Sequence, residues 1–372
     1  MDRKKILICG GHLSPALALI EELKEIKNLE LVYVGRKYSL EGDLALSLEY
    51  KTINSLGVKF IELSPGRIPR VFSKEMILSL SKIPFGIIRS FIIISQEKPD
   101  IVLSFGGSVA FSLSIVAFFK KVNVVTHEQT KVMGLTNRII SMFARFTCLS
   151  WPDTKYAQNS KFIVMGNIIR KNDNEKEKSI IQFGNPNLPL LYITGGSQGS
   201  KSINEIVKVS LFNLLKTFRI IHQCGMADNS EDFRSLQKIK SSLPLNVKNN
   251  YSLWRMLSPS QAIIAIKSSD FIIGRSGANT VTEIATCGKP AIFIPLPWSA
   301  DNEQLENAKW LMKKGSAIVL EQKDLTSDKF IKAVNIFYSN INNYQKYAVN
   351  IKKTISVDGI NKFKTLIMSL IQ

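Results

Sequence analysis

Four short stretches of glycine and small polar residues, each following an apolar run, are where this chain could do chemistry. The first is Ile8-Cys9-Gly10-Gly11-His12-Leu13-Ser14-Pro15, a glycine pair leading into a proline-opened helix. Such a turn leaves backbone N–H groups free for an anion. His12, one of only three histidines, could act there as a base, hold a phosphate or merely cap the turn. Phe105-Gly106-Gly107-Ser108 repeats the plan, either as a second anion or sugar contact or as a purely steric turn. Thr194-Gly195-Gly196-Ser197-Gln198-Gly199-Ser200 can wrap a phosphate with N–H groups while the following helix dipole favours the negative charge. It lacks both the Gly-Lys-Ser/Thr ending of a Walker loop and the full GxGxxG spacing, so an adenine cofactor is not indicated. The fourth runs from Gly274 through Arg275, Ser276 and Gly277 to Ala278-Asn279-Thr280-Val281-Thr282-Glu283. Glu283 is placed to accept both hydroxyls of a ribose, or simply to complement a helix N-terminus. The polar stretch Trp298–Asn307 could bond sugar hydroxyls or be a solvated helix start, and His127-Glu128-Gln129 could line the same site or belong to a core. No Asp-x-Asp pair occurs, so helix N-termini and backbone amides would stabilise a departing diphosphate, and neither a catalytic metal nor a cofactor is expected.

These loops must be held by something, and the patterning says what. Apolar runs at Lys5–Ile8, Leu31–Val34, Lys59–Leu63, Ile101–Ser104, Asn123–Thr126 and Phe162–Met165 read as strands, separated by helix-length segments such as Pro15–Lys27 and Ser73–Gln96. A polar segment, Arg170–Lys178, lacks the periodicity to pack and reads as a connector. A fresh series follows at Leu190–Thr194, Arg219–Gln223, Phe271–Gly274, Ala291–Ile294 and Ala317–Leu320. The βαβ rhythm on both sides predicts an α/β protein of two Rossmann-like parallel-sheet domains facing a cleft, with ligands at the carboxyl ends of the strands.

The 372 residues suit two domains. Lys and Arg outnumber Asp and Glu by 49 to 30, giving a net charge of +19. That excess fits a nucleic acid, an acidic membrane face or a phosphorylated substrate, though a Lys-, Ile- and Asn-rich composition also raises it. No helix-turn-helix, zinc or RNA-binding motif supports nucleic acid. Cys9, Cys148, Cys224 and Cys287 are scattered without metal spacing, as in a reduced cytoplasmic protein. The N-terminus reads as a first strand rather than a signal peptide, and no run reaches the ~20 apolar residues of a membrane span.

In this order and spacing, GGHLSPALA, HEQ with GLTN after it, Gly166-Asn167, GGSQGS, SGANTVTEIATCGKPAIFIPLP and DNEQLENA resemble the MurG family. Those are peripheral membrane enzymes that add N-acetylglucosamine to lipid I. The likeness runs from about Lys5 to Leu325. It implies the GT-B fold, with residues 1–168 as acceptor- and membrane-associating domain, 169–350 as UDP-sugar domain, and 351–372 as a helix returning to the first domain. It further implies inverting transfer from UDP-GlcNAc to a polyprenyl-diphosphate-linked acceptor, at the cytoplasmic face of the membrane. His12 matches the general base. Gly10, Gly11, Thr130, Arg170, Ser197, Leu253, Gln304 and the Ala278–Glu283 loop fall at donor positions, with Ser197 on the diphosphate, Glu283 on the ribose and Leu253 on uracil. Gly106, Gly107, Ser108, His127 and Glu128 fall on the acceptor side. The chain departs from the family in a first glycine loop about three residues short, in Thr130 where the family has Asn, and in the second loop from Gly107 to Ser112. These changes leave open another UDP-sugar or lipid acceptor, or a silent sugar-nucleotide-binding relative.

One more feature bears on location. Arg67 and Arg70 precede an apolar stretch with Ile77, Leu78, Ile83, Phe85, Ile87, Ile88, Phe91 and Ile92, and with Lys74, Lys82 and Arg89 alongside. It reads either as an apolar patch with a basic rim on an anionic membrane or as a well-buried helix pair.

Overall fold

The computed structural model describes residues 3–11, 13–38, 46–65, 83–157, 162–168, 175–226, 231–299, 302–355 and 358–371. The chain forms two units, Met1–Lys171 with Ser356–Gln372, and Asn172–Ile355. The first holds β1 (Lys4–Cys9), β2 (Leu29–Gly35), β3 (Lys59–Glu62), β4 (Ile101–Ser104), β5 (Asn123–Glu128), β6 (Phe146–Leu149) and β7 (Phe162–Val164). The second holds β8 (Leu190–Thr194), β9 (Arg219–Gln223), β10 (Tyr251–Trp254), β11 (Phe271–Gly274), β12 (Ala291–Phe293) and β13 (Ala317–Val319).

The strand order is β3-β2-β1-β4-β5-β6-β7 in one sheet and β10-β9-β8-β11-β12-β13 in the other, and every pairing is parallel. Each is the doubly wound order, in which the chain starts in the middle and winds outwards in both directions. Continuous burial along β4 and β8 follows, because helices cover both faces of a parallel sheet.

The sequence extends the first helix to Lys27, but it runs Leu13–Leu23. The helix expected over Ser73–Gln96 is seen as Ile83–Glu97, its earlier part lying outside the described residues. Within the polar joint, Glu175–Ile181 forms a 3-10 helix that buries Ile180 in the second unit's core. The last helix, Gly359–Ile371, packs in the first unit, with Ile360, Phe363, Ile367 and Ile371 buried against the helix Leu13–Leu23. Their spacing makes one helical stripe, and each such burial is worth ~1.5–3 kcal/mol. Gly359 permits the approach, since a Cβ there would meet the Asn167 and Gly166 carbonyls at 2.6 and 2.7 Å.

Candidate functional site

A doubly wound sheet opens a crevice where its winding reverses, between β8 and β11 in the second unit. There Thr194–Ser200 leaves β8 and Arg275–Gly277 leaves β11, with Gly274 paired to Thr194. Between these loops lies a cavity of about 660 Å³. Gly195, Gly196, Gly199 and Lys201 line it on one side, and Arg275, Gly277, Thr280, Trp298 and Gln304 on the other.

Backbone contact shapes the first wall. Gly199 sits at φ +85°, and a Cβ there would run into the Cys224 carbonyl after β9. The loop can therefore lie directly on residues 224–225 only because both it and Gly225 lack side chains. Gly199 N–H donates to the Gly196 carbonyl at 3.1 Å, and Met226 N–H to that of Ser197, also at 3.1 Å. The Ser197 side chain is exposed at the crest. Ser200 caps the helix Lys201–Leu215, whose positive end thus begins at the cavity.

The second wall holds a residue to which the sequence reading gave no role. Arg275 is 9% exposed, and its guanidinium donates to the Ile294 and Pro295 carbonyls at 2.8 and 2.9 Å. It also donates to Ser202 Oγ at 2.9 Å and Gln322 Oε1 at 2.7 Å. Among the described residues no carboxylate pairs with it. Burial pulls its pKa down to about 10, so it stays charged at neutral pH. A fixed cation with no carboxylate partner among the described residues, on the wall of a cavity whose other side is a glycine turn and a helix N-terminus, favours an anion.

Asn307 Nδ2 donates to the Ser276 carbonyl at 3.2 Å and so holds this turn, while Ser276 Oγ and Asn279 Oδ1 are buried without partners among the described residues. Glu283 lies in the helix Ala278–Cys287, three positions beyond the cavity-lining Thr280. Desolvation pushes its carboxyl up to about 7. Val281 and Thr282 turn into the core instead. Gln304 Oε1 accepts from Leu296 N–H at 3.1 Å, and its NH2 end makes no hydrogen bond among the described residues. Leu253 lies in β10, paired with His222, its side chain against the core.

In the first unit the equivalent switch point lies between β1 and β4, and both glycine loops meet there. Gly11 N–H donates to the Gly106 carbonyl at 2.8 Å. Gly10, at φ +145°, lies so near Phe105 that a Cβ would meet its backbone at 2.7 Å. Arg36 donates to Ser108 Oγ at 2.8 Å, so that hydroxyl is held by the protein. Asn137, from the GLTN stretch, accepts from Thr126 Oγ1 at 2.9 Å and donates to Glu128 Oε2 at 2.9 Å. His12 and Arg170 lie outside the described residues.

His127, Glu128 and Thr130 are all buried. His127 packs against both the Phe105 and Phe363 rings, 5.7 Å from each, with Nε2 at 3.3 Å from Ser150 Oγ. Glu128 accepts from the backbone N–H groups of Thr130 and Gly134 at 2.9 and 3.0 Å. The Thr130 hydroxyl donates within the same loop, with Glu128 Oε1 at 2.7 Å and the Val132 carbonyl as its partners. These side chains build the loop after β5 rather than present free polar groups from it.

Comparison with known proteins covers both units. The chain matches the glycosyltransferase family 28 N-terminal domain over residues 9–147 and its C-terminal domain over residues 190–363. It is 32% identical to the UDP-N-acetylglucosamine--N-acetylmuramyl-(pentapeptide) pyrophosphoryl-undecaprenol N-acetylglucosamine transferase of Clostridium tetani, over 98% of both chains. It is 33% identical to the enzyme of that name from Clostridium botulinum, again over 98% of both. Among solved structures it resembles Acinetobacter baumannii MurG, with a TM-score of 0.70 and 24% identity over 98% of this chain and 99% of that one.

Proposed function

The chain belongs to the MurG family of glycosyltransferases, and from that premise we propose that it transfers N-acetylglucosamine from UDP-GlcNAc to the lipid-linked muramyl-peptide acceptor of peptidoglycan synthesis. The observation that carries the donor half is the cavity walled by Gly195, Gly196 and Gly199, by the start of the helix Lys201–Leu215 and by Arg275, with Thr280 and Gln304 also lining it. It supplies what a sugar nucleotide asks for: N–H groups, a helix N-terminus and a cation for the diphosphate, and an amide for the sugar. Glu283 takes the ribose hydroxyls and Ser197 the diphosphate.

The reaction is a single displacement with inversion. His12 removes the proton from the acceptor hydroxyl as the anomeric carbon–oxygen bond to UDP breaks, and UDP leaves with its bonding pair. UDP release by the purified protein tests this, with UDP-GlcNAc and a lipid I analogue beside UDP-glucose and UDP-galactose. Release that needs both UDP-GlcNAc and lipid I supports the proposal. Donor binding without turnover on lipid I would move the acceptor elsewhere, and equal use of UDP-glucose would remove the N-acetyl specificity. The second control matters because the Thr130 hydroxyl is already bonded to Glu128 and Val132.

Glu283 gives the donor site a pH dependence. Its free folded pKa of about 7 stands above the ordinary 4.5, so between these values the folded state holds more protons than the unfolded. Its contribution to stability therefore falls as pH rises through that window. Accepting two hydroxyls requires the ionised form, so UDP binding draws the pKa down and releases a proton. UDP affinity measured by calorimetry is expected to weaken as pH drops from 8 to 6, and Glu283→Gln to flatten the profile. An unchanged slope in that variant would remove Glu283 from the ribose.

The acceptor is a lipid, and the first unit has a surface suited to one. Phe85, Ile88 and Phe91 on the helix Ile83–Glu97 are exposed, as are Phe118 and Phe119 ending Gly107–Phe119 and Met142 on Leu135–Phe143. Arg89, Lys120 and Lys121 accompany them, Lys120 Nζ lying 4.2 Å above the Phe91 ring. No helix among the described residues is long and apolar enough to cross a membrane. The protein instead lies on the anionic cytoplasmic face through this surface, and its positive charge serves lipid and diphosphate rather than nucleic acid. Removing all three cations (R89A, K120A, K121A) is expected to weaken binding to phosphatidylglycerol vesicles about 100-fold. Undiminished flotation would place the membrane contact elsewhere.

A further inference from the structure

One side chain, Gln223 at the carboxyl end of β9 and only 5% exposed, joins the cavity-lining loop after β8 to the segment that follows β10. Its Nε2 donates to the Gly196 carbonyl at 2.9 Å. Its Oε1 accepts from the Leu257 backbone N–H at 3.3 Å and from the Tyr192 hydroxyl at 3.1 Å. Two of these partners are backbone groups of fixed polarity, a carbonyl on one side and an N–H on the other. They determine which end of the amide faces where. A carboxylate cannot donate to Gly196, and a hydrocarbon can serve neither partner.

What Gln223 joins is informative. Gly196 is the second glycine of the cavity-lining loop and stands at φ +83°. Its carbonyl takes a second donor, Gly199 N–H at 3.1 Å. With that carbonyl held by two donors, and Gly196 N–H itself donating to Thr194 Oγ1 at 3.0 Å, the course of the turn is fixed by bonds within the protein. Leu257 belongs to the segment that continues β10 past Leu253, and Cys224 and Gly225 N–H donate to Trp254 and Arg255 in that segment at 2.9 and 2.8 Å. Tyr192, buried in β8, fixes the amide from below.

We propose that Gln223 is a positioning residue that ties the diphosphate loop to the segment following β10, and that preference for a nucleoside diphosphate over the monophosphate depends on it. This rests on the UDP-sugar reading of the cavity. Because Gln223 acts on the loop's shape and touches no ligand, removing its N–H is felt most by the phosphate that the loop holds. The ribose position Glu283 is not in that chain of bonds, and the uracil position Leu253 lies in β10, ahead of the Leu257 N–H that Gln223 accepts.

Calorimetry with UDP and UMP on the full-length protein tests this. Wild type is expected to bind UDP more tightly than UMP. Gln223→Glu keeps the acceptor and loses the donor, and should shrink the UDP-to-UMP affinity ratio about 10-fold while UMP affinity stays nearly constant. Gln223→Leu removes both arms without adding charge, and should shrink the ratio comparably while also weakening UMP. Tyr192→Phe, which deletes the phenol's bonds to Gln223 and to Thr194, should move the ratio the same way by about two- to threefold. Equal losses for UDP and UMP in the Gln223 variants, or an unchanged ratio in Tyr192→Phe, would make Gln223 a packing residue and overturn the proposal. Failure of the wild type to bind UDP at all would instead overturn the donor reading itself.

Discussion

His12→Ala is expected to lower turnover by roughly 10²–10⁴ while leaving UDP affinity nearly intact. Both halves of that expectation have a physical source. The size is what a positioned general base contributes when the acceptor is an alcohol whose proton must leave as the new bond forms. Imidazole is the side chain best suited to that role near neutral pH. The selectivity comes from the division of the chain. Gly195–Gly199, Arg275, Thr280 and Gln304 all belong to the second unit, whereas His12 belongs to the first. Its loop is set by Gly11 donating to the Gly106 carbonyl, a backbone bond that alanine at position 12 leaves available. Single-turnover rates with saturating UDP-GlcNAc would place the loss in the chemical step. A variant that turns over normally once saturated, but binds donor poorly, would make His12 a phosphate contact instead.

The architecture was largely legible in the sequence because doubly wound sheets bury their strands on both faces, so β4 and β8 stand out by the apolar runs IVL and LLYI. The strands that escaped notice are β6 and β10. Both are four residues long and mix Thr, Cys, Ser or Trp into the pattern, FTCL and YSLW, so neither continuous nor alternating hydrophobicity marks them. The glycine loops were legible for a related reason. A strand that ends under another loop's backbone needs glycine, as Gly10 under Phe105 and Gly199 on Cys224 show.

Polar side chains were harder. His127 and Glu128 follow a strand as site residues do, yet they are buried. The signal lay in Asn137, nine residues beyond Glu128, whose amide joins Glu128 to Thr126 in one internal network. No local spacing predicts such a partner. Phe118, Phe119 and Met142 were given no role, because in the sequence an outward apolar side chain looks no different from a core one. Only the positions of neighbouring helices show which face is left outward.

Arg275 is the second change expected to have a large effect, and it separates charge from scaffolding. In Arg275→Met the four N–H bonds go, leaving the Ile294 and Pro295 carbonyls without their buried donor. Unmade buried hydrogen bonds of this kind cost ~1–3 kcal/mol each, so a loss of about 2–4 kcal/mol in stability is expected by denaturant unfolding. Ser202 and Gln322 lose their shared anchor at the same time, which loosens the start of the helix Lys201–Leu215 beside the cavity. The fixed cation also goes, and with it stabilisation of the charge that grows on the departing diphosphate. Removing one such preorganised group costs about 10²–10³ in turnover. Arg275→Lys distinguishes the two effects, because an ammonium keeps the charge but cannot span the four acceptors that the planar guanidinium reaches. It should therefore unfold almost as easily as the methionine variant yet retain appreciably more turnover per folded molecule. Equal turnover in the two variants would mean that Arg275 serves the site only by holding its walls in place.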